Sequence, residues 1–254
     1  MAIQFERRLV AFVDILGWSK AMESNSAATL YDALEPLRLR GEFHNEAYRQ
    51  QVQAEYGNRL NPQMLMTQYG FFSDCFVFSM PVEMGGRIYN AVSEIMVAFL
   101  RNGFALRGGI AVGSLFHRDQ IVFGNGLVAA YRIESDMAKF SRIMVDESVI
   151  AEIGIKDYDA VIKDHLGNWV VDPFPWYAKG DDMKGLLQQM FTPSQIIEVI
   201  RKKLTEFSGE PRLRDMWRFQ AEVCARSLEK YGDVARDWVA ELRTLIRVGS
   251  AGAT

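Results

Sequence analysis

The hydrophobic pattern of the chain contains two short apolar runs that each include one aspartate. Asp14 lies in the run from Val10 to Gly17, and Asp74 lies in the run from Gly70 to Phe78. Runs of roughly 4–8 apolar, β-branched or aromatic residues are typical of buried strands. A carboxylate there must be paired, hydrogen-bonded or metal-bound, because an isolated buried charge is strongly disfavoured. If the two strands pair, the aspartates can share divalent ions; the pattern equally allows two unrelated aspartates that cap turns or pair with arginines.

The rest of the chain alternates further strand patterns with helical periodicity. Helical patterns begin near Lys20, cover Gly85 to Asn102 and Leu127 to Lys139, and return twice after Thr192. The predicted strands are Phe5–Ile15, Leu65–Phe72, Cys75–Met80, Phe104–Gly113, Ile143–Val145, and a hairpin of Tyr158–Lys163 with Asn168–Asp172. This order predicts an α+β fold with a mostly antiparallel sheet, followed by C-terminal helices.

Glycines mark two places where backbone groups are expected to be approached closely. Gly17 ends the first strand in a turn before a helix, and the free N–H groups of such a turn can receive phosphate oxygens. Gly108, Gly109 and Gly113 lie inside one predicted strand. Because glycine weakens a strand, their presence there indicates that another backbone or a ligand packs against it.

Composition and charge exclude several classes of function. The chain has 254 residues with 49% hydrophobic residues and a net charge of −3, and its pI is near 5.7. That charge argues against an electrostatic grip on nucleic acid or on anionic lipid. Three dispersed histidines and two cysteines without metal spacing argue against a zinc cluster. The sequence shows no apolar run long enough for a membrane span, so we expect a soluble, cytoplasmic protein.

Several motifs together resemble the catalytic domain of class III nucleotidyl cyclases. They are Phe12–Ser19, Phe72–Phe76, Leu106–Ile110 and Phe123–Asn125, within a match from about Leu9 to Asp172. The phrases FVDILG, FFSDCFVFS, RGGIAVG and FGNGLVAAYRIES are similar to those of the bacterial anti-phage pyrimidine cyclases, the Pycsar cyclases. The resemblance implies a ferredoxin-like, palm-type catalytic domain over residues 1–185. Residues 186–248 are then a C-terminal helical extension, and 249–254 a disordered tail.

The resemblance also implies where metal ions and substrate bind. Two Mg²⁺ or Mn²⁺ ions per site are held by the carboxylates of Asp14 and Asp74 and the carbonyl of Ile15, and oxygen ligands of this kind suit both metals. Bound there, the ions bridge the triphosphate and activate the ribose 3′-hydroxyl for attack on the α-phosphate. The implied substrate contacts are Phe12, Gly17, Trp18, Ser19, Tyr69 and Lys179.

The family acts as a head-to-tail homodimer, with two composite active sites at the interface. Its transition-state arginine aligns with Arg132, which the partner subunit supplies, while the asparagine four residues earlier is replaced by Val128. The other reading of Arg132 is a solvated or interface arginine. Arg107 is assigned to the catalytic site as well, either as a substrate contact or in an ion pair.

The positions that read a purine in adenylyl and guanylyl cyclases are changed in this chain. They align with Gly70 and with a position near Ile121, neither of which offers a polar side chain. Tyr69 is expected to narrow the pocket or stack on a smaller ring, unless it is merely a sheet residue. The resemblance therefore implies a pyrimidine triphosphate, with UTP favoured, and a cyclic UMP signal sensed by a separate cyclic-nucleotide-gated effector in anti-phage defence. The alternatives are a cytidylate cyclase, a purine cyclase, and an inactive module that binds a nucleotide or a partner.

Overall fold

The computed structural model describes residues 4–35, 37, 50, 54, 68–118, 121–156, 159–175 and 191–248. Its strands are β1 (Glu6–Leu16), β2 (Gln68–Phe72), β3 (Cys75–Pro81), β4 (Ala105–Arg118), β5 (Ile121–Phe123), β6 (Ile143–Val145), β7 (Val161–Lys163) and β8 (Trp169–Val171). The labelled helices are α1 (Trp18–Ser24), α2 (Arg87–Arg101), α3 (Asn125–Arg132), α4 (Glu147–Ile153), α5 (Pro193–Glu206), α6 (Pro211–Glu229) and α7 (Arg236–Val248). Residues 27–35 are also helical.

The strands form one mixed sheet in the order β2-β3-β1-β4-β6-β8-β7, and β5 pairs with the far end of β4. All strand pairs are antiparallel except β4 with β6. The predicted α+β fold with a mostly antiparallel sheet is therefore confirmed. β1 is an interior strand between β3 and β4, which explains why it is apolar from Leu9 to Leu16 apart from Asp14.

The two faces of β1 have different coverings. Because side chains alternate along a strand, Leu9, Ala11 and Val13 point to one face of the sheet. Val10 and Asp14 point to the other face. The first face packs into the large hydrophobic cluster with α2, α5 and α6. The second carries a smaller cluster in which α3 packs against the sheet. Asp14 therefore lies on the α3 face of the sheet.

The C-terminal helices share the large hydrophobic cluster with the sheet. Ile196 of α5, Trp217 and Cys224 of α6 and Leu242 of α7 all belong to it. The proposed boundary between 1–185 and 186–248 and the tail 249–254 fall outside the described residues, so that division into domains stays a prediction. Within the described ranges, no helix is both long and apolar enough to cross a membrane.

Several elements differ in length from the predictions. β4 continues past Gly113 to Arg118, because Ser114 and Leu115 still pair with β1 and the last three residues pair with β5. The helix predicted from Leu127 begins at Asn125 and passes at its end into a π-helix, Ile133–Met137. The 3₁₀ segment Gly232–Ala235 separates α6 from α7. The start of the strand predicted from Leu65 lies outside the described residues, since β2 is described from Gln68.

Candidate active site

Two neighbouring strand ends bring Asp14 and Asp74 together. Asp14 lies near the end of β1, directly opposite Cys75 of β3, and Asp74 occupies the turn between β2 and β3. The Ile15 N–H donates a hydrogen bond of 2.7 Å to the Asp74 carbonyl, which joins the turn to β1. Ser73 has φ +58°, the backbone conformation of a tight hairpin turn. The predicted pairing of the two acidic strands is confirmed.

Arg107 and Glu134 complete a charged cluster around Asp14. Arg107 stands opposite Asp14 on β4, and its Nη2 lies 3.1 Å from Asp14 Oδ2. Its Nε donates a 2.6 Å hydrogen bond to Glu134 Oε1. The Glu134 side chain is only 6% exposed, because it projects from the π-helix toward the sheet. Of the two roles predicted for Arg107, the structure contains the ion pair.

The charge balance around Asp14 leaves its carboxylate poorly compensated. Burial raises the pKa of Asp14 to about 6, Arg107 opposes this shift, and the negative charges of Glu134 and Asp74 add to it. A bound cation would remove the penalty that raises this pKa. Among the described residues no three acidic, histidine or cysteine side chains converge on an ion site, so the available donors are two carboxylates and a backbone carbonyl. Such a set suits Mg²⁺ or Mn²⁺, which complete their coordination with water and phosphate oxygens.

A cavity of about 260 Å³ opens beside these carboxylates. Asp14, Asp74 and Arg107 line it, together with residues 15–19 of the turn that follows β1. Gly17 has φ +79°, a left-handed conformation that favours glycine. The Trp18 ring is buried against Phe104, with ring centroids 5.2 Å apart. The predicted phosphate contacts Gly17, Trp18 and Ser19 are thus gathered at one cavity with the predicted metal ligands.

Tyr69 is not brought to this cavity. It pairs with Phe78 and packs into the large hydrophobic cluster, so it lies on the opposite face of the sheet from Asp14. It lines a separate cavity of about 320 Å³ with Tyr31 and Phe76. The physical reason is strand parity: Gly70, one residue later, is the position that shares a face with Asp14. Of the two interpretations of Tyr69, the structure contains the sheet residue, and the expected narrowing or stacking by its side chain at the Asp14 cavity is corrected.

The other predicted contacts are spread over the α3 face or fall outside the description. Phe12 lies two residues before Asp14 and contacts the Tyr131 ring edge-on, with centroids 5.4 Å apart. Arg132 and Val128 are exposed on α3 and do not line the cavity of their own chain. Lys179 falls outside the described residues.

Two residues at the site were missed in the sequence. Glu134 lies in the ES end of the phrase FGNGLVAAYRIES, where a helical glutamate gives no sign that it reaches β4. Arg212 lines the cavity from the first turn of α6, nearly 140 residues after Asp74. No local pattern predicts such a contact, because it depends on how the C-terminal helices pack.

Comparisons with known proteins give structural neighbours only. No protein-family model and no curated protein matches the chain. The adenylyl cyclase CyaB from P. aeruginosa is 17% identical, with 71% of this chain and 100% of that chain covered and a TM-score of 0.41. The guanylyl cyclase domain of the RhoGC fusion protein from the fungus Blastocladiella emersonii is 16% identical, with 66% and 95% covered and a TM-score of 0.43. At these identities and scores, the function of this chain has to be argued from its own residues.

Proposed function

We propose that the chain is a nucleotidyl cyclase, which converts a nucleoside triphosphate to a 3′,5′-cyclic nucleotide and pyrophosphate. The observation that carries the proposal is the placement of Asp14 and Asp74 at one cavity, next to the turn after β1. The motif resemblance to class III cyclases adds support, because the same two aspartates are its metal ligands.

The residues at the cavity fit a pair of divalent ions. Asp14, Asp74 and the Ile15 carbonyl would hold them, and the raised pKa of Asp14 reflects a buried negative charge that a cation would stabilise. When bound, the ions supply charge neutralisation for the triphosphate and a lower pKa for the ribose 3′-hydroxyl.

The protein's own groups position these ligands. The hydrogen bond from the Ile15 N–H to the Asp74 carbonyl holds the β2–β3 turn against β1. The two carboxylates therefore stay close together at neighbouring strand ends. Arg107 holds Asp14 and is itself held by Glu134. The turn at Gly17 offers backbone N–H groups to phosphate oxygens, because successive N–H groups in such a turn can form a concave anion-binding site.

We further propose that the active site is completed by a second copy of the chain. Arg132 is exposed on α3 and is absent from the cavity of its own chain, although the motif assigns it to the transition state. The exposed apolar side chains of Val128 and Tyr131 lie on the same helix, 46% and 51% exposed. A head-to-tail homodimer would bury them and bring Arg132 to the partner's aspartates, where a guanidinium stabilises charge on the α-phosphate.

For the base, we propose a pyrimidine, with UTP favoured by the motif resemblance. Gly70 lies on the Asp14 face without a side chain, and Ile121 is 61% exposed with no hydrogen-bonding group. Neither position can read a purine edge. The product would then be cyclic UMP, a second messenger in anti-phage defence sensed by a separate effector, with cyclic CMP as the alternative pyrimidine product.

Incubation of the purified protein with each of the four ribonucleoside triphosphates and Mn²⁺, followed by mass-resolved product identification, tests this proposal. We expect a cyclic pyrimidine nucleotide and pyrophosphate, and no product from the Asp74→Asn variant. Cyclic AMP or cyclic GMP would keep the cyclase and overturn the choice of base. The absence of any cyclic product with all four substrates would favour a nucleotide-binding module without chemistry.

A further inference from the structure

We propose that Arg212, from the first turn of the C-terminal helix α6, binds the substrate's triphosphate in the cavity of its own chain. This inference rests on the proposed function, in that it takes the Asp14–Asp74 cavity to be a triphosphate site. It gives the C-terminal helices a direct part in substrate binding, which their position late in the chain does not suggest.

The placement of α6 is the first observation behind it. Arg212, Leu213 and Met216 of α6 line the cavity together with the end of β1, the turn that follows it and the start of α1. Asp14 and Asp74 line the same cavity. A phosphate chain that lies on the turn at Gly17 would therefore have both the carboxylates and α6 among its neighbours.

The second observation concerns which arginine side chains near this cavity already have a partner. Within the part of the chain that the structure describes, the exposed Arg212 makes no hydrogen bond or ion pair. Three other arginines of α6 and α7 are paired: Arg218 with Asp215, Arg236 with Asp233, and Arg243 with Glu222 and Glu229. Arg107, the other cation at the cavity, is already held by two carboxylates. Of the two guanidinium groups that the described residues bring to this cavity, Arg212 is therefore the one without a carboxylate partner.

The third observation is that the turn carrying Arg212 is anchored on both sides. Glu210 pairs with Lys20 of α1 at 2.5 Å, and the Ser141 hydroxyl donates a 2.5 Å hydrogen bond to the Met216 carbonyl. Trp217 is buried in the large cluster, and Leu213 packs against it. The backbone at Arg212 is therefore fixed before substrate arrives, which lowers the ordering cost of binding. A guanidinium also presents two parallel donors that match a phosphate group.

Binding of Mn²⁺ with inorganic tripolyphosphate, measured by calorimetry, tests the contact without any requirement for turnover. The matched variants are Arg212→Gln, Arg212→Lys and the control Arg236→Gln, which removes the same charge from an exposed arginine of the same extension. We expect Arg212→Gln to weaken binding about 10-fold or more, the range for loss of a charged hydrogen bond. Arg212→Lys should recover part of the affinity, and Arg236→Gln should bind within about twofold of wild type.

A steady-state comparison separates a binding contact from a structural one. We expect Arg212→Gln to raise KM for the nucleotide with an unchanged midpoint of thermal unfolding. Equal tripolyphosphate affinity in wild type and Arg212→Gln would overturn the inference, as would failure of the wild type to bind the probe. Binding that depends on Arg212 in a protein that forms no cyclic product from any nucleotide would support the inference and overturn the proposed cyclase activity.

Discussion

Asp14 is the residue whose environment says most about the site. Its carboxylate shares one guanidinium with Glu134 and lies near a third carboxylate, Asp74, at the same cavity. Burial and these neighbours raise the pKa of Asp14 to about 6, above its usual value of 3.8. Between about pH 4 and pH 6, Asp14 is therefore protonated in the folded protein and ionised in the unfolded chain. The stability contributed by this group is present at low pH and is lost as pH rises from about 4 to about 6.

Asp14→Asn should stabilise the metal-free protein at neutral pH. The substitution keeps an oxygen acceptor for Arg107 and removes the uncompensated charge. We expect a gain of about 1–2 kcal/mol at pH 7 and almost none at pH 4, since a shift of one pKa unit is worth about 1.4 kcal/mol before screening is discounted. Urea unfolding with EDTA at both pH values measures it. A difference between the two proteins that stays constant with pH would contradict the assignment. Added Mn²⁺ should stabilise the wild type alone.

His117 is predicted to have the opposite effect on stability, which it should lower as the pH falls. Its Nδ1 lies 2.9 Å from the Ser79 hydroxyl, which accepts a 3.0 Å hydrogen bond from Arg8 Nε. Burial, followed by the charge of Arg8, lowers the pKa of His117 to about 4. The unfolded chain therefore binds the proton first, and stability is present above about pH 6.5 and lost as pH falls through 4.

The measurement for His117 is the pH dependence of unfolding in the wild type and His117→Gln. We expect the advantage of the wild type to shrink by about 2–3 kcal/mol between pH 7 and pH 4, from the size of the pKa shift. The Asp14→Asn protein is the control, because its own pH trend has the opposite sign. A wild-type advantage that grows toward low pH would show that His117 is protonated in the fold.

A site residue could be predicted from the sequence where its own neighbours in the chain make it stand out. Asp14 and Asp74 were predicted because a carboxylate in an apolar run is conspicuous by itself. The sequence left both interpretations of Tyr69 open, because a shift of one residue along β2 moves a side chain to the other face of the sheet. Glu134 and Arg212 were missed because each reaches the cavity or its charged cluster through tertiary packing across a long stretch of chain.

At the scale of elements, the glycines of β4 explain how α3 reaches the sheet. A Cβ at Gly109 would lie 2.5 Å from Ile133 Cβ and 2.7 Å from the Ala130 carbonyl oxygen. A Cβ at Gly113 would lie 2.7 Å from the Gly126 Cα. Of the two neighbours expected at this strand, another backbone or a ligand, the structure contains the backbone of α3. The identity of that backbone and the π-helix were not predictable, because both arise from contacts between distant elements.

Gly109→Ala should separate α3 from the sheet. The added methyl group meets the backbone and a β-branched side chain, which have little freedom to move. We expect a loss of about 1–3 kcal/mol in the free energy of unfolding, as for overpacking of a core. Gly209→Ala, where a Cβ meets no atom within 4 Å, is the matched control and should change stability by less than about 0.5 kcal/mol. Equal urea midpoints for the two variants would contradict this account of the helix–sheet contact.

At the scale of the whole molecule, the functional groups of one chain divide between two places. Asp14, Asp74 and Arg212 line one cavity, whereas Arg132 is exposed on α3 outside it. The cavity of a single chain therefore has every proposed metal ligand but lacks the proposed transition-state arginine. In the proposed two-fold homodimer each cavity would receive that arginine from the partner subunit, so the two sites should form or fail independently.

Mixing two inactive variants tests this division. Asp74→Asn lacks a metal ligand, and Arg132→Ala lacks the arginine, so each homodimer should be inactive. A heterodimer of the two has one site with an intact Asp74 from one subunit and an intact Arg132 from the other. With random exchange half of the dimers are mixed, and each has one working site, so we expect roughly a quarter of wild-type turnover. Two Asp74→Asn samples carried through the same exchange are the control. If mixed dimers form and no activity returns, Arg132 does not act across the interface, because the remaining groups of the mixed site are unchanged.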